Sequence, residues 1–69
     1  MRKAVIDLGT NTFHLFIVDI SNEGLKTIYK EKIAVKLGKN GISKGRIAPD
    51  AQKRALHALN CFKDIIDQF

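Results

Sequence analysis

Four residues, Gly9-Thr10-Asn11-Thr12, separate two runs with the character of β-strands, residues 3–8 and 13–20. A parallel crossover needs a dozen or more residues, so this spacing leaves one arrangement, an antiparallel hairpin. The first run is short and rich in branched apolar residues. The second is apolar at both parities, as expected of a central strand covered on both faces. Residues 21–24, Ser-Asn-Glu-Gly, form a turn in which Gly24 is free to take positive φ. Residues 25–37 then alternate. Tyr29, Ile33, Val35 and Leu37 fall on one face and Lys26, Lys30, Lys32 and Lys36 on the other, and such lysines discourage stray edge pairing. The three segments predict a three-stranded antiparallel meander over 3–37.

Residues 38–48 carry three glycines and three basic residues and read as a loop. Pro49 suits the first turn of a helix, where its missing N–H costs nothing. Ala51, Ala55, Leu59, Phe62, Ile66 and Phe69 follow at helical spacing on one stripe, which predicts a helix over 49–68. Arg54, His57, Lys63, Asp64 and Asp67 are expected to face away from it. Ala48 occupies the cap position without a side-chain acceptor, which forgoes about 1 kcal/mol.

This β-β-β-α order makes the chain an α/β unit of one domain, with no repeat or linker. One helix covers one face of a sheet, yet the second strand is apolar on both. At 69 residues the core is thin. The chain therefore reads as part of a larger domain. Its single cysteine, Cys61, forms no internal disulfide and fits a reducing, cytoplasmic setting. Asp7 interrupts the opening apolar run too early for a signal peptide. The run 13–20 contains His14 and Asp19 and is far shorter than the roughly 20 residues of a membrane span.

The formal charge of +5 suits anionic partners such as phosphates or polyphosphate, and equally suits a solvated lysine surface. Nucleic acid is not expected. Tyr29 is the sole tyrosine, tryptophan is absent and the phenylalanines lie in apolar runs, which leaves no base-stacking platform.

The hairpin loop carries the chemistry. Gly9 has no Cβ, so an anionic oxygen can approach its backbone N–H closely. Successive amides in a tight turn can bind phosphate, and Thr10, Asn11 and Thr12 add side-chain donors. Asp7, at the end of a strand expected to be buried, is expensive unless paired, and suits Mg²⁺ held together with phosphate oxygens. Asp, Gly, Asn and Thr are also ordinary turn residues, and a structural turn with Gly9 or Asn11 at positive φ is the competing reading.

The stretch Asp7-Leu8-Gly9-Thr10-Asn11-Thr12-Phe13-His14-Leu15 resembles the first phosphate-binding loop of the exopolyphosphatase/guanosine pentaphosphate phosphatase family. That loop usually reads Asp-hydrophobic-Gly-Ser-Asn-Ser, so Thr10 and Thr12 keep the hydroxyls. Val35-Lys36-Leu37-Gly38 is similar to the family's Val-Arg-Leu-Gly. The resemblance spans essentially the whole chain, as the opening of a family member. It implies the N-terminal β-β-β-α part of an actin-like, ribonuclease H-like domain, and an enzyme that uses Mg²⁺ to hydrolyse terminal phosphate from inorganic polyphosphate or guanosine pentaphosphate. It also implies a homodimer at full length and an activating glutamate beyond these residues, so the segment alone is expected to be inactive. Carried over position by position, it assigns phosphate binding to Gly9, Thr10, Asn11 and Thr12 and metal association to Asp7. Lys36 replaces an arginine and loses its bidentate geometry. Lys36, Lys39, Lys44 and Arg46 remain candidates for drawing in a polyanion. A sugar or acetate kinase-like ATPase of the same superfamily and a basic nucleic-acid-binding module are the alternatives. His14, His57 and Cys61 read as structural.

Overall fold

The computed structural model describes residues 1–38 and 47–69. They form β1 (Arg2–Leu8), β2 (Thr12–Ser21), β3 (Gly24–Ala34) and α1 (Pro49–Asp67). The strands make one antiparallel sheet in the order β1-β2-β3. Pairing of Leu8 with Phe13 and of Arg2 with Asp19 closes the first hairpin as the four-residue spacing requires. In the second hairpin only Asn22 and Glu23 lie between paired Ser21 and Gly24, and Gly24 adopts φ +120°. Lys39, Lys44 and Arg46 lie outside the described residues.

The helix packs on the face carrying Phe13, Leu15 and Ile17, and with Val35, Ala58 and Phe62 these form the core. Alternation along β2 puts His14, Phe16 and Val18 on the opposite face. That face has no helix over it among the described residues, although Val18 is buried.

Three expectations change. The strand β3 ends at Ala34 rather than 37, because the N–H groups of Val35, Lys36 and Leu37 turn towards the first hairpin loop. A bulge leaves Ile28 without an opposite residue, since Ile17 pairs with Tyr29 and Val18 with Thr27. One extra residue reverses the alternation. Lys26 therefore lies opposite Asp19 on the helix side, while Lys30 and Lys32 stay opposite Phe16 and His14 on the other. On α1 the fully buried residues are Ala51, Ala58 and Phe62, with Ala55, Leu59, Ile65 and Ile66 half-buried around them. Phe69, expected on the stripe, is exposed past the helix end and leans on the Tyr29 ring, 5.4 Å between centroids.

Every residue of β1 is exposed. Val5 is 48 % and Leu8 62 % accessible, because β1 is an edge strand and α1 lies over β2. An apolar edge strand left open on both faces suits a segment that continues into a larger sheet.

Exposed ion pairs fasten both ends of the unit. Arg2 grips the Asp19 carboxylate bidentately at 2.9 and 3.1 Å, and Arg54 bonds Asp50 at 3.2 Å. The arginines hold both carboxyl groups below their usual value of 3.8, chiefly through these side-chain hydrogen bonds. A carboxyl held low in the folded state contributes stability above its unfolded value and loses it as pH falls. Thermal melts are expected to show a constant midpoint from pH 7 to about pH 5 and a decline below about pH 4. In the double variant Asp19→Asn and Asp50→Asn that decline should be shallower.

Candidate phosphate-binding loop

Gly9, Thr10 and Asn11 connect β1 to β2. The Gly9 amide is engaged within the loop, donating to the Thr12 carbonyl at 3.2 Å. Gly9 therefore offers an anion no free amide. Its importance is steric: a Cβ there would lie 2.8 Å from the Thr12 carbonyl oxygen. Among the described residues only Gly24 and Lys36 take positive φ, so Gly9 and Asn11 are not present for a left-handed turn. A Gly9→Ala variant is expected to lose about 2 kcal/mol of stability, because the atom that must give way is backbone in a loop held by hydrogen bonds on both sides. The checks are a chemical denaturation curve and amide shifts at 10–12.

The loop carbonyls are held from one side. Asn11 O accepts from Val35 N–H at 2.8 Å and from Lys36 N–H at 3.0 Å, and Thr10 O accepts from Leu37 N–H at 2.8 Å. A trans peptide unit carries its C=O and N–H on opposite sides. Fixing Thr10 O on Leu37 therefore points the Asn11 N–H the other way. Among the described residues the amides of Thr10 and Asn11 have no backbone partner, and the side chains of Thr10, Asn11 and Thr12 make no hydrogen bond. Thr10 and Asn11 are exposed and Thr12 is half-buried. The arrangement can do one thing chemically: offer a short row of neutral donors to an anion while its own carbonyls are kept away.

Asp7 corrects an expectation. It is exposed, because β1 is an edge strand, so no burial penalty compels a partner. Across the sheet it pairs with His14, which pairs in turn with Lys32, and Asp7 itself forms no ion pair among the described residues. One unpaired carboxylate is a hard oxygen donor that fits Mg²⁺ only when phosphate oxygens and water complete the shell. Among the described residues no three His, Cys, Asp or Glu side chains cluster to hold a metal unaided.

The segment 35–37 owes its role in this site to its backbone. Lys36 adopts φ +48°, its N–H supports Asn11 and its side chain is exposed. Arg54, expected to face outwards, is half-buried and donates to the carbonyls of Val35 at 2.9 Å and Lys36 at 3.2 Å. The signal was in the spacing: Arg54 follows Ala51 by three residues and precedes Ala58 by four, on the buried side of α1. His57 approaches Cys61 at 3.5 Å on the helix, apart from the loop. His14 lies parallel to the Phe16 ring, 6.1 Å between centroids, beside a groove also lined by Lys30, Glu31 and Lys32. Alternation along β2 brings the two rings to one face, beside the lysines that β3 places opposite them.

An exopolyphosphatase of Cytophaga hutchinsonii is 53 % identical to the chain and superposes with a TM-score of 0.92, over 99 % of this chain and 22 % of that one. The exopolyphosphatase 2 of Mycobacterium tuberculosis is 33 % identical over 94 % of the chain and 22 % of its own length. Nearly the whole chain matches the N-terminal part of Ppx/GppA phosphatases. A second Ppx/GppA structure, the phosphatase of Aquifex aeolicus, is 30 % identical with a TM-score of 0.89, covering all of this chain and 23 % of that one. Three antiparallel strands followed by a helix match the N-terminal part of the Ppx/GppA structures, which have the actin-like ATPase fold. A bifunctional 3-dehydroquinate synthase/phosphatase of Fusobacterium nucleatum is 35 % identical over 97 % of the chain and 11 % of its own length. No family model matches the chain. It thus spans about a fifth of the length of the exopolyphosphatases it resembles, which are hydrolases. Among the described residues no helix is long and apolar enough to cross a membrane.

Proposed function

We propose that this segment is the phosphate-gripping loop of a Mg²⁺-dependent phosphatase that removes terminal phosphate from inorganic polyphosphate or guanosine pentaphosphate in the cytoplasm, working as a homodimer at full length. The observation that carries this reading is the split use of the hairpin loop. The carbonyls of Thr10 and Asn11 are bound to residues 35–37, while among the described residues two amides and three side chains keep their donors without protein partners. The similarity to exopolyphosphatases supplies the substrate class. In that reading Thr10, Asn11 and Thr12 surround a phosphate, Gly9 shapes the turn that presents them, and Asp7 stands at the strand end to hold the cation. The cation would neutralise charge on the leaving phosphate, and the loop donors would stabilise what remains. Lys36, Lys39, Lys44 and Arg46 would raise the local concentration of a polyanion. In that reading the segment contributes grip, and the activating base belongs to the rest of the full-length protein.

Titration of the chain with tripolyphosphate and Mg²⁺, followed by amide NMR, tests this. Shifts confined to residues 7–12 support the reading. Shifts scattered over the lysines, abolished by 0.3 M salt, reduce it to general charge attraction.

One observation favours a second reading. The parallel His14 and Phe16 rings flanked by Lys30 and Lys32 could stack unpaired bases of a single-stranded nucleic acid. Oligonucleotide binding that a Phe16→Ala variant loses, without any response to tripolyphosphate, would favour it.

A further inference from the structure

Two peptide planes lie between α1 and the loop, and both are held at each end. In the plane joining Val35 to Lys36, the carbonyl accepts from Arg54 Nε at 2.9 Å and the N–H donates to Asn11 O at 3.0 Å. In the plane joining Lys36 to Leu37, the carbonyl accepts from Arg54 Nη2 at 3.2 Å and the N–H donates to Thr10 O at 2.8 Å. Consecutive carbonyls point to one side only if the backbone between them departs from extension, and Lys36 does so at φ +48°. A guanidinium presents its donors in a rigid planar fork, which matches two carbonyls at a fixed spacing. Its remaining arm bonds Asp50 Oδ2 at 3.2 Å, so the fork is itself oriented from the first turn of the helix.

We propose that Arg54 is a positioning residue for the phosphate loop. It fixes the two planes whose N–H groups capture the carbonyls of Thr10 and Asn11, and through the planarity of the Thr10–Asn11 peptide it aims the Asn11 N–H at the anion. This deepens the phosphate reading of the loop and rests on it for the identity of the ligand. The left-handed turn at Lys36 is part of the same device, because an extended residue there would carry one carbonyl away from the fork.

The test compares the chain with Arg54→Ala, Arg54→Lys and Asp50→Asn variants at a temperature where melting curves show each one folded. Two quantities are read: hydrogen exchange of the Lys36 and Leu37 amides against those of Leu15 and Ile17, and tripolyphosphate affinity from the Asn11 amide shift. In Arg54→Ala, exchange at 36 and 37 is expected to accelerate roughly tenfold with the strand amides unchanged, and affinity to fall by a similar factor, as for loss of a charge-assisted hydrogen bond. Arg54→Lys should recover only part of both, since one ammonium cannot span both carbonyls. Asp50→Asn keeps an oxygen acceptor for the third arm and should move both, but by less than Arg54→Lys does. If Arg54→Ala does not fold, Arg54→Lys carries the comparison. Uniform acceleration across the sheet, unaltered affinity in a folded variant, or an Asp50→Asn effect equal to that of Arg54→Ala would each overturn the proposal. Should the unmodified chain ignore tripolyphosphate while the exchange pattern appears as expected, the phosphate reading falls and the positioning role stands.

Discussion

An Asp7→Ala substitution in a full-length polypeptide carrying this segment is expected to slow orthophosphate release from polyphosphate roughly a hundredfold, about 2.7 kcal/mol in the barrier. The structure makes this a clean comparison. Asp7 is exposed on an edge strand and forms no ion pair among the described residues. Alanine at such a position should change stability by less than about 0.5 kcal/mol. A loss of rate with an unchanged melting curve would thus report on chemistry rather than folding. Asp7→Asn separates charge from hydrogen bonding. If the carboxylate holds a cation, asparagine should be nearly as slow as alanine, and both should need more Mg²⁺ to reach half of their maximal rate. Full turnover in either variant at ordinary Mg²⁺ would remove Asp7 from the mechanism and leave the donor loop as the whole of the site.

Phe62→Ala should abolish the folded state of the isolated chain. Phe62 is fully buried, and it lies among Phe13, Leu15, Ile17, Val35 and Ala58 where α1 meets the sheet. Truncating a buried phenylalanine costs about 3–5 kcal/mol. A chain of this length has roughly 3–10 kcal/mol in total, at 0.05–0.15 kcal/mol per residue. The loss is therefore comparable with everything that holds the helix on the sheet. Far-UV circular dichroism should show reduced helicity and no cooperative melt. Phe62→Leu keeps most of the volume and should cost less than about 1.5 kcal/mol, leaving a lowered but cooperative transition. A cooperative melt in Phe62→Ala close to that of the parent would mean that α1 does not depend on this contact. Because Arg54 and the 35–37 segment reach the loop from α1, detachment of the helix should also remove any tripolyphosphate response.

Strand order, both hairpins and the helix were legible in the sequence. The loop is proposed as the site from Asp7, Gly9 and the hydroxyls of Thr10 and Thr12. These are short-range properties. Four intervening residues cannot make a crossover, a glycine at the end of a two-residue turn can take positive φ, and Pro49 fixes a helix start. What was misread depended on neighbours distant in the chain. Arg54 looked solvated because charge outweighed its place between Ala51 and Ala58, and its partners lie eighteen and nineteen residues away. Lys26 was put on the wrong face because a bulge at Ile28 reverses alternation and leaves no mark in composition.

By itself, then, the sequence determined which segments pair, where the chain turns and which loop residues carry hydrogen-bond donors, because those follow from local backbone preference, hydrophobic period and side-chain chemistry. Only the tertiary structure decided which donors remain available. The Gly9 amide is used inside the turn, the carbonyls of Thr10 and Asn11 are drawn to residues 35–37, and Asp7 is left open on an edge strand. A peptide group has two ends on opposite sides, and which end faces outwards is set by whatever captures the other.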